Sequence, residues 1–321
     1  VATKKKGCLG CSLPVAILII LVIFAAIVLG MLAGPLGAKF GAHGLPSWMT
    51  LKLPEPKLPA DVVFHILSFP VTNTILATWI TMLFLIIFSL IVARKPRIIP
   101  SKAQSAAESI FGFIADLCTS TAGEKDGAKF FPLVATIFLF VLFNAFLALI
   151  PGFGTLLFHT PSGDVELLRA ANTDFNTPLA LALITFLTVE FMGFKRLGVG
   201  YLGKFFTWGD FGRAVGKIFK GKFDVMALLA GFIMGVVGLL ELLSEVIRII
   251  SLTFRLFGNM LAGEIVLLVI AYVVPYVVPV VFYGFEAFFG VIQALVFASL
   301  TIVYISLSVT GHHTEEQHKA A

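Results

Sequence analysis

Residues 224–274 read DVMALLAGFIMGVVGLLELLSEVIRIISLTFRLFGNMLAGEIVLLVIAYVV, an apolar stretch without a proline, and whether it forms one helix or two decides the architecture. Wholly helical, it would run about 75 Å at 1.5 Å per residue. The hydrocarbon core of a bilayer is only about 30 Å thick, so one upright span is excluded. The alternatives are a single steeply tilted helix or two spans joined by a turn at Gly258-Asn259, residue types that mark turns. Glu241, Ser244, Arg248, Ser251, Arg255 and Asn259 are separated by 3, 4, 3, 4 and 4 positions. At about 100° per residue all six fall within roughly 40° of Arg255 on one helical face. A loop has no reason to keep that register, and the intervening Ile249, Ile250, Leu252, Phe254, Leu256 and Phe257 are apolar. One continuous tilted helix is expected, its polar face turned toward a partner or an aqueous cavity.

The remainder of the chain is of the same character. Hydrophobic residues are 59% of the 321, charged residues only 13%, and mean hydropathy is +1.01, which excludes a soluble globular domain. The runs Leu13 to Leu32, Thr72 to Val92, Phe131 to Ile150 and Thr177 to about Phe194 are each of a length suited to a membrane helix. They are too long and too uniformly apolar for the alternating strands of a barrel. Pro151-Gly152 stops the third, and Thr177-Pro178 suits the N-cap and first turn of the fourth. Between residues 101 and 118, Ala103, Ala106, Ala107, Ile110, Phe113, Ile114 and Leu117 recur at helical spacing, as in an amphipathic helix lying on the membrane surface. The fold class is therefore all-α integral membrane. It comprises about six membrane helices plus one amphipathic surface helix, the last two long and strongly tilted as a hairpin.

Three segments follow. Residues 1–33 form a signal-anchor-like transmembrane extension, in which Lys4, Lys5 and Lys6 precede the apolar run. The pattern fits a signal peptide cleaved near Ala38 or a retained anchor, and retention is expected. Residues 34–71, rich in Pro and Gly, read as an external segment, and residues 72–321 as the main membrane domain. Lys and Arg gather in the connections 93–130 and 195–223, whereas 151–176 carries only Arg169. The basic connections and both termini are thus expected on the cytoplasmic side. Cys8 and Cys11 lack the second ligand pair a zinc site needs. His312, His313 and His318 read as a solvated tail, and Gly231, Gly235 and Gly238 as sites of close helix packing.

A charge at the centre of a membrane helix costs at least about 2.5–3.5 kcal/mol, so Arg255 must be offset by something. Arginine stays protonated and cannot relay protons. Facing a mobile carboxylate at about 4 Å and an effective dielectric of 20, it favours the ionised form by about 4 kcal/mol, roughly three pK units. Glu264 lies nine residues further on, about half a turn around the helix, and Glu286, Gln293 and Tyr304 share a face of the last helix at spacings of 7 and 11. By the topology above, Glu264 and Glu286 lie toward the external end and Glu241 and Ser244 toward the cytoplasmic one. Buried carboxyls of this kind can exchange protons near neutral pH. Arg255 sits between the two paths, so protons cross only if another protein carries them sideways. Arg248 reads as an inner interfacial or pairing residue, and Asn144 and Glu190 as interhelical or snorkelling residues.

The string Arg255-Leu256-Phe257-Gly258-Asn259-Met260-Leu261-Ala262-Gly263-Glu264, followed by Gln293-Ala294 and Leu300-Thr301-Ile302-Val303-Tyr304, resembles subunit a of F-type ATP synthases. Phe143-Asn144, Leu149-Ile150-Pro151-Gly152 and Asp174-Phe175-Asn176-Thr177 resemble it too, so the likeness spans Leu67 to Val309. The resemblance implies a proton-translocating stator subunit beside a rotating c-ring of hairpin subunits, with the peripheral-stalk subunit b and the lipid bilayer as further partners. It makes Arg255 the essential charge barrier facing the ring. It assigns Glu264, Glu286, Gln293 and Asn259 to an external proton path and Glu241, Ser244 and Ser251 to a cytoplasmic one. Some members carry histidine at one of the positions of Glu264 and Glu286, and some bacterial members carry an acid where this chain has Leu147. The resemblance implies no cofactor and no metal, the transported ion being H+ by default and Na+ otherwise. The location implied is an energy-coupling membrane such as a bacterial plasma membrane, with the C-terminus cytoplasmic. No Gly-x4-Gly-Lys-Ser/Thr loop occurs in the sequence, so ATP would be handled by other subunits. The competing reading is a self-contained secondary transporter with Arg255 binding an anionic substrate, which calls for paired repeats that the sequence does not display.

Overall fold

The structure, a computed structural model, describes residues 13–35, 37, 59–93, 102–154, 156–160, 163–198, 201 and 225–310. The lysine-rich N-terminus with Cys8 and Cys11, most of the Pro- and Gly-rich segment, the basic stretches 94–101 and 202–224, and the histidine-bearing tail lie outside the described residues. Among the described residues, six helices are long and apolar enough to cross a membrane. They are α1 Leu13–Ala33, α2 Asn73–Ala93, α3 Lys102–Ala148, α4 Asn176–Leu197, α5 Val225–Val273 and α6 Val277–Thr310. The chain is an all-α integral membrane protein.

The 49-residue α5 runs through Gly258-Asn259 without a turn. Leu256 and Met260 on either side are buried, and a backbone opened among apolar groups would find no replacement hydrogen bonds. Elsewhere the structure differs from the sequence reading. Residues 119–130 were expected to connect a surface helix to a membrane span; they are instead largely helical, and α3 consists of two helical limbs that meet at a kink at Gly123 (φ 79°, ψ 164°). Positive φ at no steric penalty is what glycine supplies there. Beyond the break Lys129 pairs with Asp126 at 2.9 Å in helical i,i+3 spacing. Helix α4 begins at Asn176, one residue before the expected cap, and its entry is held by Asp174. One Asp174 oxygen accepts the Asn176 N–H at 3.1 Å and the other accepts the Thr74 hydroxyl at 2.9 Å, tying the first turn of α2 to that of α4.

Two small hairpins stand beside these helix ends, one at the end of the segment read as external (34–71) and one in the connection 151–176. Strands β1 (Val62–Ile66) and β2 (Phe69–Thr72) pair antiparallel, with Phe64 opposite Val71 and Ile66 opposite Phe69, and Val63 and Val71 are buried. After a short strand β3 (Pro151–Gly154), β4 (Leu157–Thr160) pairs antiparallel with β5 (Gly163–Glu166). Asn73 donates to the Glu166 carbonyl at 3.2 Å, so the second hairpin is anchored to the start of α2.

The chain divides into two compact units, one containing α1 and residues 259–290, the other residues 61–258 and 291 onward. In the second unit Val134 and Val141 of α3, Leu252 and Leu256 of α5, and Phe297, Ile302 and Ile305 of α6 form the core. Polar side chains bridge the helices. Asn144 donates to Thr81 at 3.4 Å, the Thr185 and Thr301 hydroxyls meet at 3.5 Å, and Arg196 bonds Asp126 at 2.8 Å. Bonds of this kind in membranes average about 0.6 kcal/mol each, so they fix which helices are neighbours more than they stabilise the bundle. Gly231, Gly235 and Gly238 of α5 are all buried, whereas residues 232–234 between them are exposed.

In the first unit α1 is largely exposed along its length but closes on the turn between α5 and α6. A Cβ at Gly30 would strike the Pro275 carbonyl, and one at Gly34 the Val273 carbonyl. Because these are backbone atoms, no rotamer change can make room. Gly30→Val is therefore expected to lift α1 from the turn. In a cysteine-free background, a thiol at the buried Pro275 position would then react several-fold faster with an impermeant maleimide than it does with Gly30 intact.

Candidate functional site

Helix α5 buries Glu245, Leu252, Thr253, Leu256 and Met260 and exposes Ile247, Ile250 and Phe254. The six polar residues that share a face lie along the seam between these two sides. Glu241, Arg248 and Arg255 are half-buried, and Ser244, Ser251 and Asn259 are exposed. One face thus holds two environments, a distinction that spacing alone does not resolve. Phe175 at the N-cap of α4 packs against Phe254 at 5.5 Å and Phe257 at 5.8 Å between ring centroids, so the residues on both sides of Arg255 are seated on an aromatic anchor.

The two arginines of this face differ sharply. Among the described residues, no carboxylate pairs with Arg255. Arg248 instead forms an ion pair with Glu245 at 2.6 Å and lies over the Tyr304 ring, 4.3 Å from its centroid, consistent with the pairing role expected for it. Glu245 was missed by the sequence reading, although its position three residues before Arg248 is the spacing of a helical ion pair. Nearby, Tyr201 donates its hydroxyl to Glu190 at 3.2 Å. Burial raises the Tyr201 phenol well above its usual range and the negative charges of Glu190 and Glu245 raise it further, so it acts as a donor.

The first unit holds a cavity of about 470 Å³ lined by Asn259, Gly263, Val266, Phe282, Phe285, Glu286 and Phe289. The Glu286 carboxyl rests against the Gly263 backbone, where any Cβ would collide with it. Glu264 is near enough for its charge to act on Glu286. Asn259, Glu264 and Glu286, which the sequence placed on one side of Arg255, are thus gathered in a single unit. A carboxyl on an aromatic-walled cavity, where water can reach it, can take up and hand on protons. Gln293 lies two turns beyond Glu286 on α6 and is buried, as is the adjoining Ala294.

Residues 75–306, more than two thirds of the chain, match the family described as ATP synthase A chain. The chain is 35% identical over 240 residues to ATP synthase subunit a of Gloeobacter violaceus, an alignment covering 75% of this chain and 85% of that protein. Helix α1 and the β1–β2 hairpin precede the matched region, while α2 through most of α6 fall within it, including Arg255, Glu264, Glu286 and Gln293. With its helices, its arginine-bearing α5 and this similarity in agreement, the chain belongs to the family of ATP synthase subunit a.

Proposed function

We propose that this chain is the proton-translocating stator of an F-type ATP synthase, with two offset half-channels separated by Arg255 that load and unload the carboxylates of a rotating c-ring. The observation that carries this reading is Arg255 itself, half-buried well inside a 49-residue membrane helix and paired with no carboxylate among the described residues. Such a charge costs at least about 2.5–3.5 kcal/mol in the membrane interior. A carboxylate arriving from another subunit offsets it, and the guanidinium in turn holds that carboxylate ionised and denies passage to free protons.

The cavity at Asn259 and Glu286, with Glu264 beside it, forms the external half-channel, and Gln293 continues its face of α6. Glu241, Ser244 and Ser251 line the cytoplasmic path, the two serines on the exposed side of α5 where ring helices would pass. A helix of about 74 Å must tilt steeply to remain in a bilayer core of about 30 Å, which lays α5 and α6 along the curved wall of a ring. The limb of α3 before Gly123 lies on the cytoplasmic surface. Each proton moving down a potential of 100 mV supplies about 2.3 kcal/mol, and the peripheral-stalk subunit b holds the stator against the resulting torque.

Cysteine cross-linking in the assembled complex tests the placement of the ring. Ser251→Cys, exposed, is expected to form a disulfide with a cysteine on the outer ring helix. Leu252→Cys, at 2% exposure on the adjacent buried side, is not. Equal cross-linking at both positions, or none at Ser251, would overturn the assignment of this face.

A further inference from the structure

Arg255 is not the only arginine on its face of α5. Arg248 lies seven residues earlier in the same register, about 10 Å along the helix, on the stretch assigned above to the cytoplasmic path. A second free guanidinium there would act on the same ring carboxylates. The structure turns it away from them. Arg248 lines a small pocket with Thr185 and Val189 of α4, Glu245 of α5 and Tyr304 of α6. Its side chain is 18% exposed and that of its partner Glu245 only 5%. Its charge is met by the Glu245 carboxylate at 2.6 Å and its flat face by the Tyr304 ring at 4.3 Å. Among the described residues, Glu190 on α4 and Tyr201 just after it, which bond to each other at 3.2 Å, also stand beside this cluster, and Glu241 lies one turn before Glu245 on α5. Glu245 on its own helix and Tyr304 on α6 therefore hold one arginine inward and neutralised, while seven residues away the other meets no carboxylate of its own chain among the described residues.

We infer that Glu245 is a positioning residue that cancels and withdraws the charge of Arg248, leaving Arg255 as the arginine of this face that acts on ring carboxylates. The inference rests on the half-channel reading of α5. Its physical content is electrostatic. An uncompensated cation at roughly 10 Å in an effective dielectric of 20 lowers the pKa of a carboxyl by about one unit. A ring carboxylate in the cytoplasmic path would then need a more acidic cytoplasmic side to take up its proton. Removing Glu245 should accordingly impair ATP-driven proton pumping selectively at neutral and alkaline pH on that side, because proton uptake from the cytoplasm is the step made harder. The stability of the complex is not the quantity at issue. A lost structural contact lowers the amount or the rate of active complex at every pH, whereas an unmasked charge moves the midpoint.

The test uses inverted vesicles carrying the assembled complex, with their cytoplasmic side facing the bath, and follows ATP-driven acidification of the lumen across bath pH. Glu245→Gln is expected to move the midpoint of pumping about one pH unit toward acid, a tenfold change in proton concentration. Glu245→Gln/Arg248→Gln and Arg248→Gln alone, which leave no free cation, are expected to show no acid shift. If Glu245→Gln does not assemble, Glu245→Asp, which keeps the charge but shortens its reach, is expected to shift the midpoint partway in the same direction, and Glu245→Asp/Arg248→Gln to abolish that shift. An unmoved midpoint in the Glu245 variants, or an acid shift that persists when Arg248 is also replaced, would overturn the inference. Arg255→Ala in the same vesicles separates the two levels. Retained coupling there would sink the half-channel reading, whereas lost coupling together with unmoved Glu245 profiles would sink only the role given to Glu245.

Discussion

Replacing Arg255 with alanine is expected to abolish ATP synthesis driven by a proton gradient in vesicles carrying the assembled complex. The substitution removes charge rather than packing. Alanine is the best helix former, and no carboxylate of this chain loses a partner among the described residues, so α5 should remain intact. On the proposed reading, what disappears is the field that keeps an arriving ring carboxylate ionised, about 4 kcal/mol at 4 Å and an effective dielectric of 20, or three orders of magnitude in its acid equilibrium. Synthesis should fall by about the same factor, to background. Arg255→Lys should recover part of the rate, since it restores a cation but not the planar, always-charged fork of arginine. Synthesis rates are to be compared at equal amounts of assembled complex, measured by blotting the ring and stalk subunits.

The second large effect is expected at Glu286. Its carboxyl lines the 470 Å³ cavity and sits where a glycine, Gly263, leaves room for it. Glu286→Gln preserves size and hydrogen bonding but cannot accept a proton. If Glu286 relays protons from the external side, synthesis should drop by roughly two orders of magnitude, the lower end of what a positioned acid–base group contributes. Glu286→Asp should retain more activity than Glu286→Gln. Glu264→Gln should have a smaller effect than Glu286→Gln, because Glu264 stands beside the cavity rather than among its lining residues. Synthesis driven by an imposed acid-to-base transition is the measurement. Near-normal rates in Glu286→Gln would remove this residue from the path.

Much of this arrangement was legible in the residues because it depends on local, periodic information. The spacing from Glu241 to Asn259 demanded a continuous helix, and α5 runs from Val225 to Val273. The apolar runs located α1 and α2 to within a residue or two. What was not legible depends on contacts between distant elements. Helical phase put Arg248 and Arg255 on one face; the Glu245 pair, at a spacing the sequence does contain, and the approach of Tyr304 from α6, which it does not announce, together distinguish the sequestered arginine from the other. Nothing in the order of residues announces that Gly263 makes room for Glu286, or that Gly30 lets α1 reach the Pro275 carbonyl. The β1–β2 hairpin was hidden because its strands are short and contain Pro70, so its pairing draws on the burial of Val63 and Val71. At α4, Asp174 stands two residues before Asn176, and its second bond to Thr74 is a tertiary fact.

The central claim is that Arg255 meets a carboxylate that belongs to a moving neighbour. A density map of the assembled membrane sector measures this directly, through the separation between the Arg255 guanidinium and the carboxylates of the ring. A ring helix is expected against the exposed side of α5, with one carboxylate brought within about 4 Å of Arg255, close enough for a strong charge interaction. A map in which Arg255 is paired with an acid of its own chain, and the ring lies against another face, would contradict it.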